Sequence, residues 1–231
     1  MKDSIHTVIF DLDGTLLNTL DDLADSCNIM LQHFNFPLRT IDEVRQFVGN
    51  GLGVLAEKAI PNGKANPLYS QALDYLRTTY ATHSQIKTKP YDGITDLIRQ
   101  LNENGIHTGI VSNKPDAQVK ELAHLYFSPY INSQTAIGEQ ERNGIRRKPA
   151  PDSTLKVMEI LNTAPEHAVY VGDSDVDIAT ARNAGIPCIS VTWGFRSKEF
   201  LIQNGATIMA NTPQDILTII ANGCQRNIHL S

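Results

Sequence analysis

The stretch HTVIFDLDGT at residues 6–15 is the part of the sequence that decides the fold. Its first half, about His6 to Phe10, is a short apolar run typical of a buried strand. The run passes directly into an acidic turn, in which Asp11 and Asp13 stand two positions apart. Side chains two apart point to the same side of a strand, and Gly14 permits a sharp turn at which a bulky anion can approach the backbone. The turn is therefore a candidate functional site, and an acidic loop that only caps a helix is the alternative explanation of the pair.

The sequence from about Thr19 to Thr82 has a different pattern. Apolar residues recur there at helical spacing, and the β-branched runs that would indicate strands are missing. Proline- and glycine-rich breaks divide this stretch into about four helices. We therefore predict an all-helical insert at residues 17–86 and a core domain made of residues 1–16 and 87–231.

From Tyr91 onward, predicted strands and helices alternate. The predicted strands are about His107–Val111, Ile131–Ile137, Ala168–Val171, Pro187–Val191 and Thr207–Met209. The predicted helices cover about Ile94–Asn104 and Val176–Ala184, and others begin near Pro115, Pro151, Lys198 and Pro213. Such alternation is typical of an α/β fold with a doubly wound, Rossmann-like parallel sheet.

Composition limits the classes of function. A chain of 231 residues with 41% hydrophobic and 19% charged residues has a normal soluble composition. The net charge of -5 disfavours a nucleic-acid-binding protein, and no apolar run approaches the roughly 18 residues of a membrane span. Cys27, Cys188 and Cys224 are widely separated and odd in number, which indicates reduced thiols. We expect a cytoplasmic protein with no nucleic-acid partner and no membrane partner.

Polar side chains follow three of the predicted strands at the point where each strand ends. Asp11 and Asp13 follow the first strand, Ser112 and Asn113 follow the next, and an acidic run at 173–177 follows a third. Ligands of doubly wound sheets bind outside the carboxyl ends of the strands, so these groups are expected to meet at one edge. There, Ser112 and the backbone amides of a helix start would form an anion cradle, unless Ser112 is an ordinary helix cap.

Two lysines compete for the role of an anion-binding cation. The segment RRKPAPD at residues 146–152 places three cations before a helix start that prolines stiffen. Clustered like charges repel one another, so two of the three are expected at the surface. The prolines fix the backbone at Lys148, which favours it as the positioned cation. Lys114, directly after Asn113, is the competing candidate.

The segment GDSDVD at residues 172–177 places three carboxylates in one short turn. A helix N-terminus offsets part of their repulsion, by about 0.3–1 kcal/mol per charge, and a divalent cation would offset far more. Ligands that are all oxygen, with no His or Cys nearby, favour Mg²⁺ over zinc. The pattern of an EF-hand loop is absent. A purely structural role for the triplet is the alternative.

Together these segments resemble the four motifs of the haloacid dehalogenase superfamily, in their order and on the expected elements. DLDGT at 11–15 resembles the nucleophile motif and VSN at 111–113 the phosphate-binding serine motif. KPAPD at 148–152 resembles the lysine motif and GDSDVD at 172–177 the metal motif. The likeness spans nearly the whole chain, and the helical insert is like the C1 cap of the superfamily.

Within the superfamily, the chain is most similar to phosphoglycolate phosphatases. VGNGL at residues 48–52 and the pair Gly144-Ile145 carry this finer likeness. In the implied cap, the loop with Gly49, Asn50 and Gly51 is the candidate for contact with the substrate. Asn18 is a small departure, because many relatives have Asp at that position.

The resemblance implies a Mg²⁺-dependent phosphatase that hydrolyses a phosphate monoester of a small metabolite. Asp11 would attack phosphorus and form an aspartyl-phosphate. Asp13 would protonate the leaving group and then take a proton from water. Ser112, Asn113 and Lys148 would bind the phosphate.

The resemblance also implies a ligand set for the metal. The carboxylates of Asp11 and Asp173 and the backbone carbonyl of Asp13 would bind Mg²⁺, and Asp177 would be a nearby or alternate ligand. A phosphate dianion beside Asp11 and Asp173 brings together about four negative charges, which Mg²⁺ and Lys148 would largely offset.

Several alternatives share this scaffold. A dehalogenase would need neither Asp13 nor Asp173 in these roles, so both residues count against it. A phosphosugar mutase or a pyrophosphatase remains open. A phospho-acceptor signalling domain also carries an acidic cluster and a lysine, but such domains are about half this length and lack the helical insert.

Overall fold

The computed structural model describes residues 4–224, and the chain divides into two compact units. One unit combines Met1–Leu16 with Pro90–Ser231 and is called the core unit below. The other is Leu17–Lys89 and is called the helical unit. The chain therefore enters the helical unit directly after the acidic turn that follows the first strand. It leaves that unit after Lys89.

The strands form one six-stranded sheet, which belongs to the core unit, and one separate two-stranded pair. Within residues 4–224 the strands are β1 (Thr7–Phe10), β2 (Leu17–Asn18), β3 (Lys89–Pro90), β4 (His107–Pro115), β5 (Ala136–Glu139), β6 (Ala168–Gly172), β7 (Cys188–Val191) and β8 (Ile208–Ala210). Six of these form a sheet in the order β5-β4-β1-β6-β7-β8, with parallel pairing throughout, and β2 pairs with β3. The chain builds the sheet outward from β1 in both directions, which confirms the predicted doubly wound α/β class.

The central strand β1 aligns the residues that follow its two neighbours. All four residues of Thr7–Phe10 are fully buried, as expected for a parallel strand whose two faces are covered. Phe10 pairs in register with Ile110 on β4 and with Val171 on β6. The backbone amide of Asp11 continues the ladder by donating to the carbonyl of Val171 at 2.8 Å. Side chains just beyond these three strands therefore emerge next to one another.

The helices divide between the two units. The helical unit contains α1 (Leu20–His33), α2 (Ile41–Phe47), α3 (Gly51–Ala59) and α4 (Tyr69–His83). The core unit contains α5 (Ile94–Glu103), α6 (Asp116–Phe127), α7 (Asp152–Ile160), α8 (Asp175–Ala184), α9 (Lys198–Gln203) and α10 (Pro213–Ala221). Among residues 4–224, none of the helices has both the length and the hydropathy needed to cross a membrane.

A buried carboxylate fixes the last segment of the helical unit. Asp22, in the first turn of α1, is almost completely buried. Its oxygens accept hydrogen bonds from the backbone amides of Lys87 and Thr88 at 2.9–3.0 Å. Buried amides without an acceptor are costly, so this one side chain stabilises a segment that lies 65 residues further along the chain.

The sequence placed most elements within two residues, but the strand β5 begins later than predicted. The expected strand at about Ile131–Ile137 is observed at Ala136–Glu139. Ile131 is buried, yet its amide donates to Phe127 and closes a turn after α6. An apolar residue buried in a turn looks the same as a strand residue in the sequence, which explains the error.

We predict that Asp22→Ala lowers the free energy of unfolding by about 2–4 kcal/mol, because it leaves buried amides without an acceptor. Urea denaturation followed by circular dichroism measures the loss. Asp25→Ala is the matched control, because Asp25 pairs with the Lys87 ammonium at a half-exposed site and exposed ion pairs contribute little. Equal losses in the two variants would contradict this role of Asp22.

Candidate active site

The predicted core-unit residues meet at the carboxyl edge of the sheet. Asp11 and Asp13 follow β1, while Ser112, Asn113 and Lys114 lie in the last part of β4. The acidic turn at 172–177 joins β6 to α8. The chain between β5 and α7 contributes Lys148. The predicted cap loop lies in the helical unit, where Gly49 precedes α3 and Gly51 begins it, both with positive φ.

Lys148 is the buried cation at the centre of the cluster. Its ammonium donates to Asp11 Oδ1 and to Asp177 Oδ1, each at 2.7 Å. It also donates to the hydroxyl of Tyr170 at 3.2 Å. Of the three cations at 146–148, the other two pair with surface carboxylates, Arg146 with Asp152 and Arg147 with Glu141. Lys148 is therefore the one of these three cations that contacts the buried acids.

Lys114 is buried as well, and it contacts a different carboxylate. Its ammonium lies 2.6 Å from Asp13 Oδ1. Its backbone amide donates to Ser112 Oγ, and that hydroxyl is 3.5 Å from Asp13 Oδ2. Asn113 points the other way, and its side-chain amide donates to the carbonyl of Lys148. The two lysines that competed in the sequence are therefore both present, one beside each aspartate of the first turn.

Three carboxylates form a group that could hold a metal ion. Oxygens of Asp11, Asp173 and Asp177 all lie within 4.8 Å of one another, and all three residues are buried. Asp177 accepts from both the amide and the hydroxyl of Ser174, which begins α8 with a capping box. Asp175 stands between these acids in the sequence but is not part of the group. Carboxylate oxygens alone are ligands that suit a hard cation such as Mg²⁺.

The backbone packs so closely around Asp173 that only glycine fits at two positions. A Cβ at Gly14 or at Gly194 would overlap the side chain of Asp173. Gly14 also has a φ of +88°, a conformation that other residues rarely adopt. The amide of Phe195 donates to Asp173 Oδ2 at 2.6 Å. Backbone atoms therefore contact this carboxylate on two sides and fix its position.

Burial raises the pKa values of two acids of the cluster, and repulsion between neighbouring carboxylates adds to both shifts. Burial raises the pKa of Asp173 to about 7, and the neighbouring charge of Asp177 adds to the effect. Burial also raises the pKa of Asp11 well above its ordinary value, despite the attraction of Lys148. For Lys148, burial alone would lower the pKa, but Asp11 and Asp177 raise it, so the ammonium stays charged. A divalent cation among the acids would offset the remaining negative charge.

Sequence reasoning missed two contacts of this site. Tyr170 lies on β6, where its buried hydroxyl accepts from Lys148 and donates to the carbonyl of Val111. A tyrosine in the otherwise aliphatic strand AVYVG was the available signal. The second contact is the backbone amide of Phe195, which donates to Asp173. That contact depends on the backbone and leaves no signal in the residue types.

This fold and this arrangement of acids and lysines define a class of hydrolase. The family profile of haloacid dehalogenase-like hydrolases matches residues 8–191 of the chain. The protein therefore belongs to the haloacid dehalogenase-like hydrolases, and the resemblance noted in the sequence is confirmed.

Within that family the chain is similar to phosphoglycolate phosphatases. It is 31% identical to phosphoglycolate phosphatase 1 of Pseudomonas aeruginosa, over 91% of this chain and 78% of that protein. It is 32% identical to a phosphoglycolate phosphatase of Pseudomonas putida, over 94% and 79%. The crystal structure of a candidate phosphoglycolate phosphatase from Lactobacillus delbrueckii subsp. bulgaricus superposes with a TM-score of 0.88, at 34% identity, and covers 94% of this chain and 98% of that one.

We predict that Mg²⁺ affinity falls as the pH falls through about 7. A carboxylate must be ionised to bind a metal, and below its pKa of about 7 Asp173 holds a proton that the metal must displace. Between about pH 8 and about pH 6, the affinity should drop about tenfold. Calorimetric titration of the protein with Mg²⁺ at each pH measures it.

Two variants serve as controls for this prediction. Asp173→Asn should lose the response to Mg²⁺, whereas Asp175→Asn, in the same turn but outside the group, should keep it. An affinity that is equal or higher at the lower pH would contradict the assignment of Asp173 as a ligand.

Proposed function

We propose that this protein is a Mg²⁺-dependent phosphatase that hydrolyses a small phosphate monoester through an aspartyl-phosphate on Asp11, and that phosphoglycolate is its leading candidate substrate. The observation that carries the proposal is the pairing of Asp11 Oδ1 with the buried ammonium of Lys148 at 2.7 Å. A nucleophilic carboxylate must stand beside positive charge, because the phosphate that it attacks is itself an anion.

In the first half of the reaction, an oxygen of Asp11 attacks phosphorus and the bond from phosphorus to the ester oxygen breaks. The departing oxygen takes a proton from the carboxyl group of Asp13, so it leaves as a hydroxyl group. Asp13 suits this role because it follows the nucleophile by two residues and its side chain is 17% exposed, compared with 10% for Asp11. A group that protonates an incoming substrate must be reachable from solvent.

In the second half, Asp13 takes a proton from water and the water oxygen attacks the phosphorus of the aspartyl-phosphate. The bond from phosphorus to Asp11 breaks, and inorganic phosphate is released with the Asp11 carboxylate restored. Ser112, the backbone around Asn113, and Lys148 bind the phosphate oxygens during both halves. Two contacts support this assignment. The hydroxyl of Ser112 lies beside Asp13, and the ammonium of Lys148 lies beside Asp11.

Asp11, Asp173 and Asp177 would hold Mg²⁺, together with the backbone carbonyl of Asp13. When bound, Mg²⁺ supplies positive charge that offsets the charges of the phosphate and of the carboxylates around it. The chemistry of the donors supports this proposal, because the group is composed of carboxylates and is buried.

We propose that the helical unit acts as a cap that excludes water and selects the leaving group. Its candidate contact is the loop with Gly49, Asn50 and Gly51. The positive φ of both glycines supports this idea, because it lets the backbone turn sharply into α3 and leaves room for a bulky ligand close to the chain.

The substrate proposal rests on the names of the relatives. Two relatives at 31% and 32% identity are phosphoglycolate phosphatases. A pyrophosphatase or a phosphosugar mutase on this scaffold is the alternative. A panel of phosphorylated metabolites that includes phosphoglycolate and pyrophosphate, scored by kcat/KM, distinguishes a phosphoglycolate phosphatase from a pyrophosphatase. A mutase would move the phosphoryl group to another sugar hydroxyl instead of releasing inorganic phosphate.

A cytoplasmic location is also part of the proposal. Cys27, Cys188 and Cys224 are all free thiols. Burial raises the pKa of Cys27 to about 12, so this residue is a packed, unreactive thiol. Unpaired cysteines are usual in a reducing compartment.

We predict that EDTA abolishes hydrolysis of an aryl phosphate and that Asp11→Asn eliminates it even with Mg²⁺ present. The amide of Asn is a poor nucleophile, so the first step has no attacking group. Release of inorganic phosphate measures both effects, and Asp175→Asn is the matched control that should remain active. Activity without metal would contradict the Mg²⁺ assignment, and activity of Asp11→Asn would contradict the nucleophile.

Tyr170→Phe tests whether the hydroxyl of Tyr170 positions Lys148. The variant keeps the buried ring but removes the acceptor for the ammonium and the donor to Val111. We expect kcat to fall about tenfold, with a smaller change in KM, because the loss is roughly that of one charge-assisted hydrogen bond. Tyr130→Phe is the control, since Tyr130 lies in the turn after α6, near the opposite end of β4. An unchanged kcat for Tyr170→Phe would show that Lys148 needs no such support.

A further inference from the structure

We propose that Asn183 is a positioning residue for Lys148, the cation that contacts the nucleophile. Asn183 lies in the last turn of α8, where it is exposed, and it binds the chain next to Lys148 rather than the ammonium itself. Together with Asn113 it forms a clamp on the peptide carbonyls of residues 148 and 149. The effect on catalysis rests on the proposed function above, whereas the clamp itself can be tested without turnover.

The first support is a pair of hydrogen bonds to consecutive carbonyls. The side-chain amide of Asn113 donates to the carbonyl of Lys148 at 3.2 Å, and that of Asn183 donates to the carbonyl of Pro149 at 2.8 Å. The two donors come from different elements, β4 and α8. Two adjacent carbonyls that are bound from two elements leave the backbone at Lys148 little freedom to rotate.

The second support is the composition of the segment that carries the lysine. Pro149 and Pro151 have no backbone N–H, and the amide of Ala150 donates to the carbonyl of Arg147 within the same segment. The backbone N–H groups of residues 149–151 therefore cannot anchor this segment to a strand or a helix. Anchoring through the backbone must use the carbonyls, and the two asparagines supply the donors that the carbonyls need.

The third support is that α8 contacts both ends of the lysine. Asp177, in the first turn of α8, accepts from the ammonium of Lys148 at 2.7 Å, while Asn183 binds the carbonyl of the residue that follows the lysine. These two side chains are about 9 Å apart along the helix axis, since a helix rises about 1.5 Å per residue. One rigid element therefore contacts the charged end of the lysine and the backbone from which the side chain extends.

A lysine needs such support because its four-carbon stem is flexible. A displacement of about 1 Å near the reacting atoms can reduce a rate by about 100-fold. Asp11, Asp177 and Tyr170 contact the ammonium, but the position of the stem also depends on its backbone. Asn183 contributes to that position from outside the cluster of acids.

The kinetic test compares two asparagines that make the same kind of bond. Asn204 follows α9, is exposed like Asn183, and donates its side-chain amide to the carbonyl of Phe200 at 2.8 Å. We expect Asn183→Ala to lower kcat/KM for an aryl phosphate about tenfold, because the ammonium shifts, and Asn204→Ala to leave it unchanged. Equal losses in the two variants would overturn the inference.

A double-mutant cycle shows whether Asn183 acts through Lys148. If it does, Asn183→Ala causes little further loss of kcat/KM once Lys148→Ala has removed the cation. If the two losses multiply instead, Asn183 supports activity by another route and the inference is overturned. Lys148→Ala leaves buried acids without their cation and is costly to the fold, so a second measurement keeps the lysine in place.

Amine labelling tests the clamp with the lysine intact. Acetic anhydride acylates accessible, unprotonated amines, and mass spectrometry measures the rate at each lysine. The side chains of Lys148 and Lys114 are 3% and 2% exposed, so both should react slowly in the wild-type protein. We expect Asn183→Ala to raise the rate at Lys148 about fivefold, the effect of losing one hydrogen bond that opposes local opening. The rate at Lys114, on β4, should stay unchanged.

The labelling result separates failure of this inference from failure of the proposed function. A selective increase at Lys148 supports the clamp, even if the protein hydrolyses none of the phosphates tested. An unchanged rate at Lys148, or an equal increase at Lys114, overturns the inference, even if the protein proves to be an active phosphatase.

Discussion

The ion pair of Lys148 with Asp11 and Asp177 is the interaction on which the rest of the site depends. It joins three parts of the chain: the residue after β1, the segment before α7, and the first turn of α8. Removing the cation would leave two buried carboxylates without compensation, which is among the most costly changes a protein interior can undergo. Lys148 therefore holds Asp11 and Asp177 in place, and the hydroxyl of Tyr170 adds a neutral partner for the same ammonium.

The parallel sheet is what brings these charges together. A central strand with neighbours on both sides places the ends of β4, β1 and β6 next to one another, and each end carries a polar turn. In an antiparallel arrangement the same turns would alternate between opposite edges. Close packing at Gly14 and Gly194 then fixes Asp173 within this edge. The strand order therefore determines which residues meet at this edge, and the two glycines allow the backbone to approach Asp173 closely.

How much the sequence could predict depends on whether a feature is local. Asp11, Asp13 and the turn at 172–177 follow strands directly, so pattern and spacing were sufficient to bring them to one edge. The pairing of Lys114 with Asp13 and the contact of Tyr170 with Lys148 depend on how distant segments pack. No local pattern encodes the distance between them. The start of β5 was misplaced for the same reason, since burial of Ile131 comes from tertiary packing and not from strand pairing.

Two buried lysines place positive charge at two separate points of the carboxyl edge of the sheet. Lys148 lies beside Asp11 and Lys114 lies beside Asp13, so each aspartate of the first turn has a cation of its own. Lys114 lies on β4, the strand that also carries Ser112, whereas Lys148 reaches this edge from the segment before α7. Two cations from different elements therefore meet two acids from one turn, and the order of the parallel strands is what brings them together.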